Sequence, residues 1–356
     1  MKEQKTAVIA ITERLFEDLG TKWSWPQQAK SVILPNINAA SRTSKIGSFL
    51  SQFIRHPFSA VAGKIHNSKI NLLHNRTLNA ELHNAAAILV DSGWGPEATD
   101  VIDAMPLLRW IHVVKTGVDH IPQDLLRQRG IMLTSIKGVH AQAVAEFAMG
   151  LIYCRLKRFI EHEQLMRQNR WKTIWSQGLA GKTLLILGTG EIGQKLAQLA
   201  CGNGFLVTGV NSNGRQVDGF VKVQSPGTMA GLWAQADVVV NCLPLTTETQ
   251  KIVGKREFSQ LKTGAIFINV GRDETVDSEA LLSGLDAGKP EWAALDIAPP
   301  YPTHPYRNHS QVLLTHYCAY TSEYAKIHQA KSTIDNVNAF LAGEKLSGLV
   351  DLDRGY

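Results

Sequence analysis

The stretch from Gly181 to Arg215, GKTLLILGTGEIGQKLAQLACGNGFLVTGVNSNGR, constrains this chain more than any other. Thr183 to Leu187 is a short apolar run ended by glycine, too brief for a helix, and reads as a buried parallel strand. Gly188, Gly190 and Gly193 follow as G-x-G-x-x-G. The first glycine allows a tight turn, the second lets the backbone approach a pyrophosphate, and the third lets the next helix pack closely on the strand. A helix from Glu191, with Ile192, Leu196, Leu199 and Ala200 on its apolar side, would turn its N-terminal N–H groups toward that anion. A second strand at Phe205 to Val210 completes the βαβ pattern. These residues predict a dinucleotide site on Gly188, Thr189, Gly190, Glu191, Ile192 and Gly193; the same glycines in a unit that binds nothing are the alternative.

With 356 residues the chain is long enough for two domains, and its 44% apolar fraction is that of an ordinary globular protein. No apolar run reaches the roughly 18 residues of a membrane span, and the first twenty residues lack a signal peptide's apolar centre, so a cytoplasmic protein without a membrane span is expected. The four cysteines are widely spaced and read as free thiols. His304, His309 and His316 fall at no metal-type spacing, and no metal is expected.

The net charge of +6 is concentrated in one segment. Between Asn36 and Asn79 stand Arg42, Lys45, Arg55, Lys64, Lys69 and Arg76 with no Asp or Glu, while the other lysines and arginines match the acidic residues. A general nucleic-acid surface is therefore not indicated. Within the segment Ile46, Phe49, Leu50, Phe53 and Ile54 recur at helical spacing before Pro57. An inserted helix packed on its own domain and a cationic lid or contact surface remain alternatives.

The rest of the chain alternates short apolar runs with helical patterns. Strands are expected at 6–11, 31–34, 86–91, 110–114 and 131–135, and helices at 78–84, 99–105 and 124–129, giving a doubly wound α/β unit of flavodoxin type. Ligands of such sheets collect at the carboxyl ends of strands, which makes Trp94 and the turn Lys115, Thr116, Gly117 candidate substrate contacts. Trp94 reads equally as a core or interface aromatic. One helix is expected from Gln142 to about Gln168, buried between domains or against a second subunit by its apolar first half. Runs at 236–245, 261–272, 293–297 and 312–315 extend the second sheet to at least six strands, and a last helix from about Ser322 returns to the first domain. The division expected is 1–137 plus 320–356 for the substrate domain and 138–319 for the dinucleotide domain.

Four blocks carry a resemblance: Lys115 to Asp119 (KTGVD), GVHAQAVAEFAMGLI at 138–152, LGTGEIG at 187–193 with CLPLTTET at 242–249, and LKTGAIFINVGR at 261–272. On these the chain resembles the D-isomer-specific 2-hydroxyacid dehydrogenase family. The resemblance implies two α/β domains, a nicotinamide cofactor in the cleft between them and a homodimer built on the 142–168 region. It also implies that Arg272 holds a substrate carboxylate and polarises the reacting carbonyl, a task suited to a guanidinium fork. Thr116 and Gly117 match the loop whose N–H groups meet that carboxylate. Leu243 and Pro244 match the nicotinamide loop and Asp296 lies on the strand bordering it, with Cys242 and Val270 as further candidate cofactor contacts.

Two positions depart from the family. Where it has Asp-Val-Phe-x-x-Glu-Pro this chain has Asp296-Ile297-Ala298-Pro299-Pro300-Tyr301-Pro302, which puts Tyr301 in place of the glutamate. The family's Thr-Pro-His appears as Thr315-His316-Tyr317, so that without a gap Tyr317 takes the histidine position; a one-residue slip would restore His316 but would reverse the strand's faces. A phenol, with a reference pKa of about 10, suits proton donation in a reduction better than base work in an oxidation. Lys115 is a candidate neighbour for Tyr317, with a solvated surface lysine as the alternative. At the end of the second strand of the nucleotide unit stands Asn211 in place of the Asp or Glu that binds a ribose diol, followed by Ser212 and Arg215. NADP(H) is expected, with NAD(H) as the alternative. The expected function is reduction of a small 2-oxo acid by hydride transfer; a dinucleotide-binding sensor or scaffold that has lost turnover is the second reading.

Overall fold

A computed structural model of the chain describes residues 7–12, 29–34, 85–90, 98–296 and 305–356. The basic segment at 36–79, the helix expected at 78–84, Trp94, Tyr301 and His304 lie outside the described residues. The chain forms two compact units, one of Met1–Ile136 with Gln329–Tyr356 and the other of Lys137–His328.

In the first unit, apolar runs of four to six residues form the parallel strands β1 (Ala7–Thr12), β2 (Ala29–Leu34), β3 (Ala85–Val90), β4 (Trp110–Val113) and β5 (Met132–Ser135). Their order, β2-β1-β3-β4-β5, is that of a flavodoxin-type sheet. Helices α1 (Ala98–Asp103) and α2 (Gln123–Arg129) bury Val101, Ile102 and Leu126 against Ile111, Val113 and Leu133.

His112 on β4 is wholly buried in this unit. Thr134 Oγ1 accepts from Trp110 Nε1 at 2.8 Å and lies 2.7 Å from His112 Nδ1, while His112 Nε2 lies 3.2 Å from Thr333 Oγ1. Thr333 Oγ1 in turn donates to the Gln329 carbonyl at 2.9 Å. A neutral ring with its proton on Nε2 satisfies every group of this chain; a second proton on Nδ1 would displace the Thr134 hydroxyl hydrogen. Burial accordingly pushes the imidazole down to about 3. Because the folded pKa lies below the unfolded one, the stabilisation is complete above the unfolded value and is lost as pH falls from 6.5 toward 3. At pH 5 the loss is about 2 kcal/mol. Thermal unfolding at pH 7 and pH 5 is expected to show that extra acid loss in the wild type and not in His112→Gln. Equal losses in both proteins would assign it elsewhere.

The second unit holds a seven-stranded parallel sheet of β6 (Thr183–Leu187), β7 (Leu206–Val210), β8 (Lys222–Gln224), β9 (Val238–Asn241), β10 (Ile266–Asn269), β11 (Trp292–Asp296) and β12 (Val312–Thr315). The order is β12-β11-β10-β9-β6-β7-β8. The direction of winding reverses at β6, which has β7 on one side and β9 on the other, so the carboxyl ends of β6 and β9 define the switch point where ligands of such sheets bind. Helices α3 (Ala141–Leu156), α4 (Phe159–Arg167), α5 (Glu191–Gly202), α6 (Ala230–Trp233), α7 (Lys255–Gln260) and α8 (Ser278–Asp286) accompany the sheet, and the chain returns to the first unit within α9 (Glu323–Ala342).

The single helix expected from 142 to 168 is corrected to two. Arg158 adopts a left-handed backbone (φ 58°), and the Leu156 carbonyl accepts from Gln177 N at 2.8 Å, so the chain turns where the apolar sequence ends. The buried face of α3, including Val144, Ala148 and Ile152, packs with Leu196, Ala197 and Ala200 of α5 in the unit's own core. No described residue of α4 is buried. No helix among the described residues is long and apolar enough to cross a membrane, and all four cysteines are free thiols.

Candidate functional site

The glycine turn leaves β6 at Gly188 with φ 96°, a conformation that suits glycine alone. A Cβ on Gly193 would run into the Gly188 carbonyl, so only glycine lets α5 approach the turn this closely. At Gly190, the N-cap of α5, a Cβ would meet nothing within 4 Å among the described residues, and none of their side chains caps the helix. A helix N-terminus without a side-chain cap behind a glycine turn is the arrangement that receives a pyrophosphate. Glu191 is exposed in that first turn with its carboxylate against Gly138, and Ile192 packs onto the core.

At the far end of the βαβ unit Asn211 follows β7 and ties two loops together. Its Nδ2 donates to Thr189 Oγ1 at 3.0 Å and to the Arg215 carbonyl at 2.8 Å. Its Oδ1 is a buried acceptor with no partner among the described residues, a feature that suits a ribose hydroxyl. Ser212 and Arg215 are exposed beside it. These groups fit a pyridine dinucleotide from pyrophosphate to ribose.

Across the switch point, Cys242, Leu243 and Pro244 follow β9 and press on the glycine turn: a Cβ on Gly188 would lie 3.2 Å from the Cys242 carbonyl oxygen. Burial pushes the Cys242 thiol up to about 12, so it stays protonated at neutral pH and lines the loop as a small apolar group. A Thr246–Thr249 turn closes this loop, with Thr249 Oγ1 donating to the Pro244 carbonyl at 2.7 Å. From the next strand, β10, buried Val270 leads to Gly271 and the half-buried Arg272.

Asp296 ends β11, buried, and its carboxylate organises the loop after β12. Its Oδ1 accepts from Thr315 Oγ1 at 2.6 Å and Cys318 N at 2.9 Å, and its Oδ2 accepts from Ala319 N at 2.8 Å. Burial and the Asp296 charge together raise the Cys318 thiol. Held between these anchors, Tyr317 is half-buried at φ 56° with its ring centroid 5.6 Å from that of Tyr320, while His316 is exposed. A bulky residue with positive φ is a strained position, and such strain concentrates at functional sites. The resemblance implies that Asp296 borders the cofactor; the fold adds that its carboxylate braces the Tyr317 loop.

In the first unit the Lys115, Thr116, Gly117 turn follows β4, with Thr116 exposed and Lys115 and Gly117 partly so. Gln329 Nε2 donates to the Val114 carbonyl at 2.7 Å and fixes the base of that turn. Asn241, Asn269 and Thr275, which carry no role in the expectations above, are all fully buried in the second unit. The available signal was an asparagine closing each of two apolar strands, VVVN and IFIN.

A family model described as the NAD binding domain of D-isomer specific 2-hydroxyacid dehydrogenase matches residues 149–319. A glyoxylate reductase of Aeropyrum pernix is 30% identical over 265 residues, covering 71% of this chain and 79% of the relative. A glyoxylate/hydroxypyruvate reductase of Arabidopsis thaliana is 29% identical over 279 residues, covering 77% and 85%. Among solved structures, an NADPH-dependent glyoxylate/hydroxypyruvate reductase from Sinorhizobium meliloti in complex with NADP and malonate superposes with a TM-score of 0.74 at 23% identity, covering 98% of each chain.

Proposed function

The chain belongs to the D-isomer-specific 2-hydroxyacid dehydrogenase family, and from that premise we propose that it reduces a small 2-oxo acid, with NADP(H) as the preferred cofactor and NAD(H) as the weaker one. The observation that carries the reading is the meeting, in one unit, of an open, uncapped helix N-terminus at Gly190 with the Arg272 loop on the neighbouring side of the switch point. When bound, the cofactor supplies the hydride. Gly188 to Gly193 would hold its pyrophosphate, Asn211 its ribose, and Leu243 and Pro244 would border its nicotinamide. Arg272 would bind the substrate carboxylate and draw charge onto the carbonyl oxygen. Tyr317 would donate the proton that the oxygen then needs.

The preference for NADP(H) rests on the absence of a carboxylate at Asn211 and on the exposed Arg215 guanidinium, which suits a 2′-phosphate. A homodimer is also part of the proposal. Its support is the exposed apolar side of the segment after α3, where Phe159, Met166, Trp171 and Trp175 are 57%, 59%, 92% and 86% exposed.

The deciding assay is consumption of NADPH and NADH over glyoxylate, hydroxypyruvate, phenylpyruvate and longer 2-oxo acids. Turnover of at least one, with kcat/KM for NADPH about tenfold or more above NADH, is the expected result, since one well-placed charge-assisted contact is worth about 1.5–3 kcal/mol. Tight cofactor binding without turnover across the panel would favour the sensor reading.

A further inference from the structure

Asn241 and Asn269 close neighbouring strands and are partners in register. Both are fully buried, as is Thr275 in the loop that follows Arg272. Buried amides are costly unless bonded. Asn241 Nδ2 donates to Asn269 Oδ1 at 3.0 Å and to Thr275 Oγ1 at 2.7 Å, and Asn241 Oδ1 accepts from Leu243 N at 3.2 Å. Asn269 Oδ1 also accepts from Gly271 N at 2.9 Å. Two donors then converge on one acceptor: Asn269 Nδ2 at 3.2 Å and Thr275 Oγ1 at 2.6 Å both reach the Arg272 carbonyl.

The ends of this network are the backbone of Leu243 and the backbone of Gly271 and Arg272. Apolar residues would close two parallel strands at no such desolvation cost, so the polar choice asks for a purpose beyond sheet stability. The two loops also touch: a Cβ on Gly271 would lie 2.7 Å from the Leu243 carbonyl oxygen. We propose that Asn241, Asn269 and Thr275 are positioning residues that lock the Arg272 backbone to the Leu243–Pro244 loop, so that the carboxylate anchor and the loop bordering the nicotinamide keep one fixed relation. The proposal rests on Arg272 being the carboxylate anchor. A guanidinium displaced by about 1 Å loses its bidentate geometry, and misplacement of that size costs about 10²-fold.

Thr275→Val keeps the shape and removes the hydroxyl; Thr275→Ser keeps the hydroxyl. Binding of oxamate, a non-reacting 2-oxo acid analogue, to the NADPH-loaded protein is followed by cofactor fluorescence, beside NADPH affinity, melting temperature and steady-state kinetics. Thr275→Val is expected to weaken oxamate binding about ten- to hundredfold with NADPH affinity unchanged within about threefold, and Thr275→Ser to restore it. Asn269→Asp, which keeps the acceptor oxygen and removes the donor to the Arg272 carbonyl, is expected to lose oxamate binding to the same extent. Wild-type oxamate affinity in Thr275→Val or Asn269→Asp overturns the proposal. So does a loss shared equally by oxamate, NADPH and melting temperature in all three variants, which marks a structural role. If the wild-type protein binds no oxamate, the anchor reading of Arg272 fails and the proposal falls with it, whereas oxamate binding without turnover on any 2-oxo acid leaves the binding comparison to decide.

Discussion

Replacing Arg272 by alanine is expected to lower kcat/KM for a turned-over 2-oxo acid by about 10³-fold while leaving NADPH affinity within about threefold. Arg272 lies three residues past the end of β10, two strands from the glycine turn, with β9 between. Its backbone is extended (φ −116°, ψ 141°) and held through its carbonyl, so the side chain alone is removed by the substitution. A guanidinium offers two parallel donors to a carboxylate and a charge to the oxygen that gains density as hydride arrives. The first contact acts in the ground state and the second in the transition state, so both KM and kcat should worsen. Arg272→Lys keeps the charge without the fork and should recover only part of the loss. A fall in NADPH affinity as large as the fall in kcat/KM would sink the assignment, since it would mean that Arg272 serves the cofactor.

Much of this arrangement is legible before any fold is known, because its signals are local. The G-x-G-x-x-G turn announces itself through three residues whose missing side chains have separate reasons, and the short apolar runs specify a parallel sheet buried on both faces. The flavodoxin-type order of the first sheet and the seven-stranded second sheet agree with that reading. What is not legible depends on distant pairing. Asn241 and Asn269 each look like a polar residue ending a strand, and only the register that sets them side by side makes them a network. Arg158 sits in a continuous helical pattern, yet its backbone is left-handed and the nearby Leu156 carbonyl accepts from the Gln177 amide, a pairing of distant residues that no local pattern encodes. Asp296 likewise reads as the end of a strand, and its grip on Thr315, Cys318 and Ala319 appears only when β11 and β12 pair.

That grip bears on the register of the proton donor, where the sequence leaves His316 and Tyr317 in competition. With Thr315 paired to Asp296 and the next amides of the loop drawn to the same carboxylate, the two residues between are not free to exchange places. Tyr317 adopts φ 56°, a conformation costing about 1–3 kcal/mol for a non-glycine residue, and Asp296 is the group that offsets it. His316, on the exposed side, has no such constraint. Tyr317→Phe, which removes one oxygen and keeps the ring against Tyr320, is therefore expected to lower kcat about 10²-fold with little change in KM, and His316→Ala to stay within about twofold of wild type. A phenol carries the proton that an alkoxide needs and has to lose it before it can act as a base, so the wild-type enzyme should run faster toward reduction than toward oxidation. Steady-state rates in both directions for the wild type and the two variants decide the matter. Loss of activity in His316→Ala with Tyr317→Phe intact would move the proton to the histidine and show the strained tyrosine to be a feature of the loop alone.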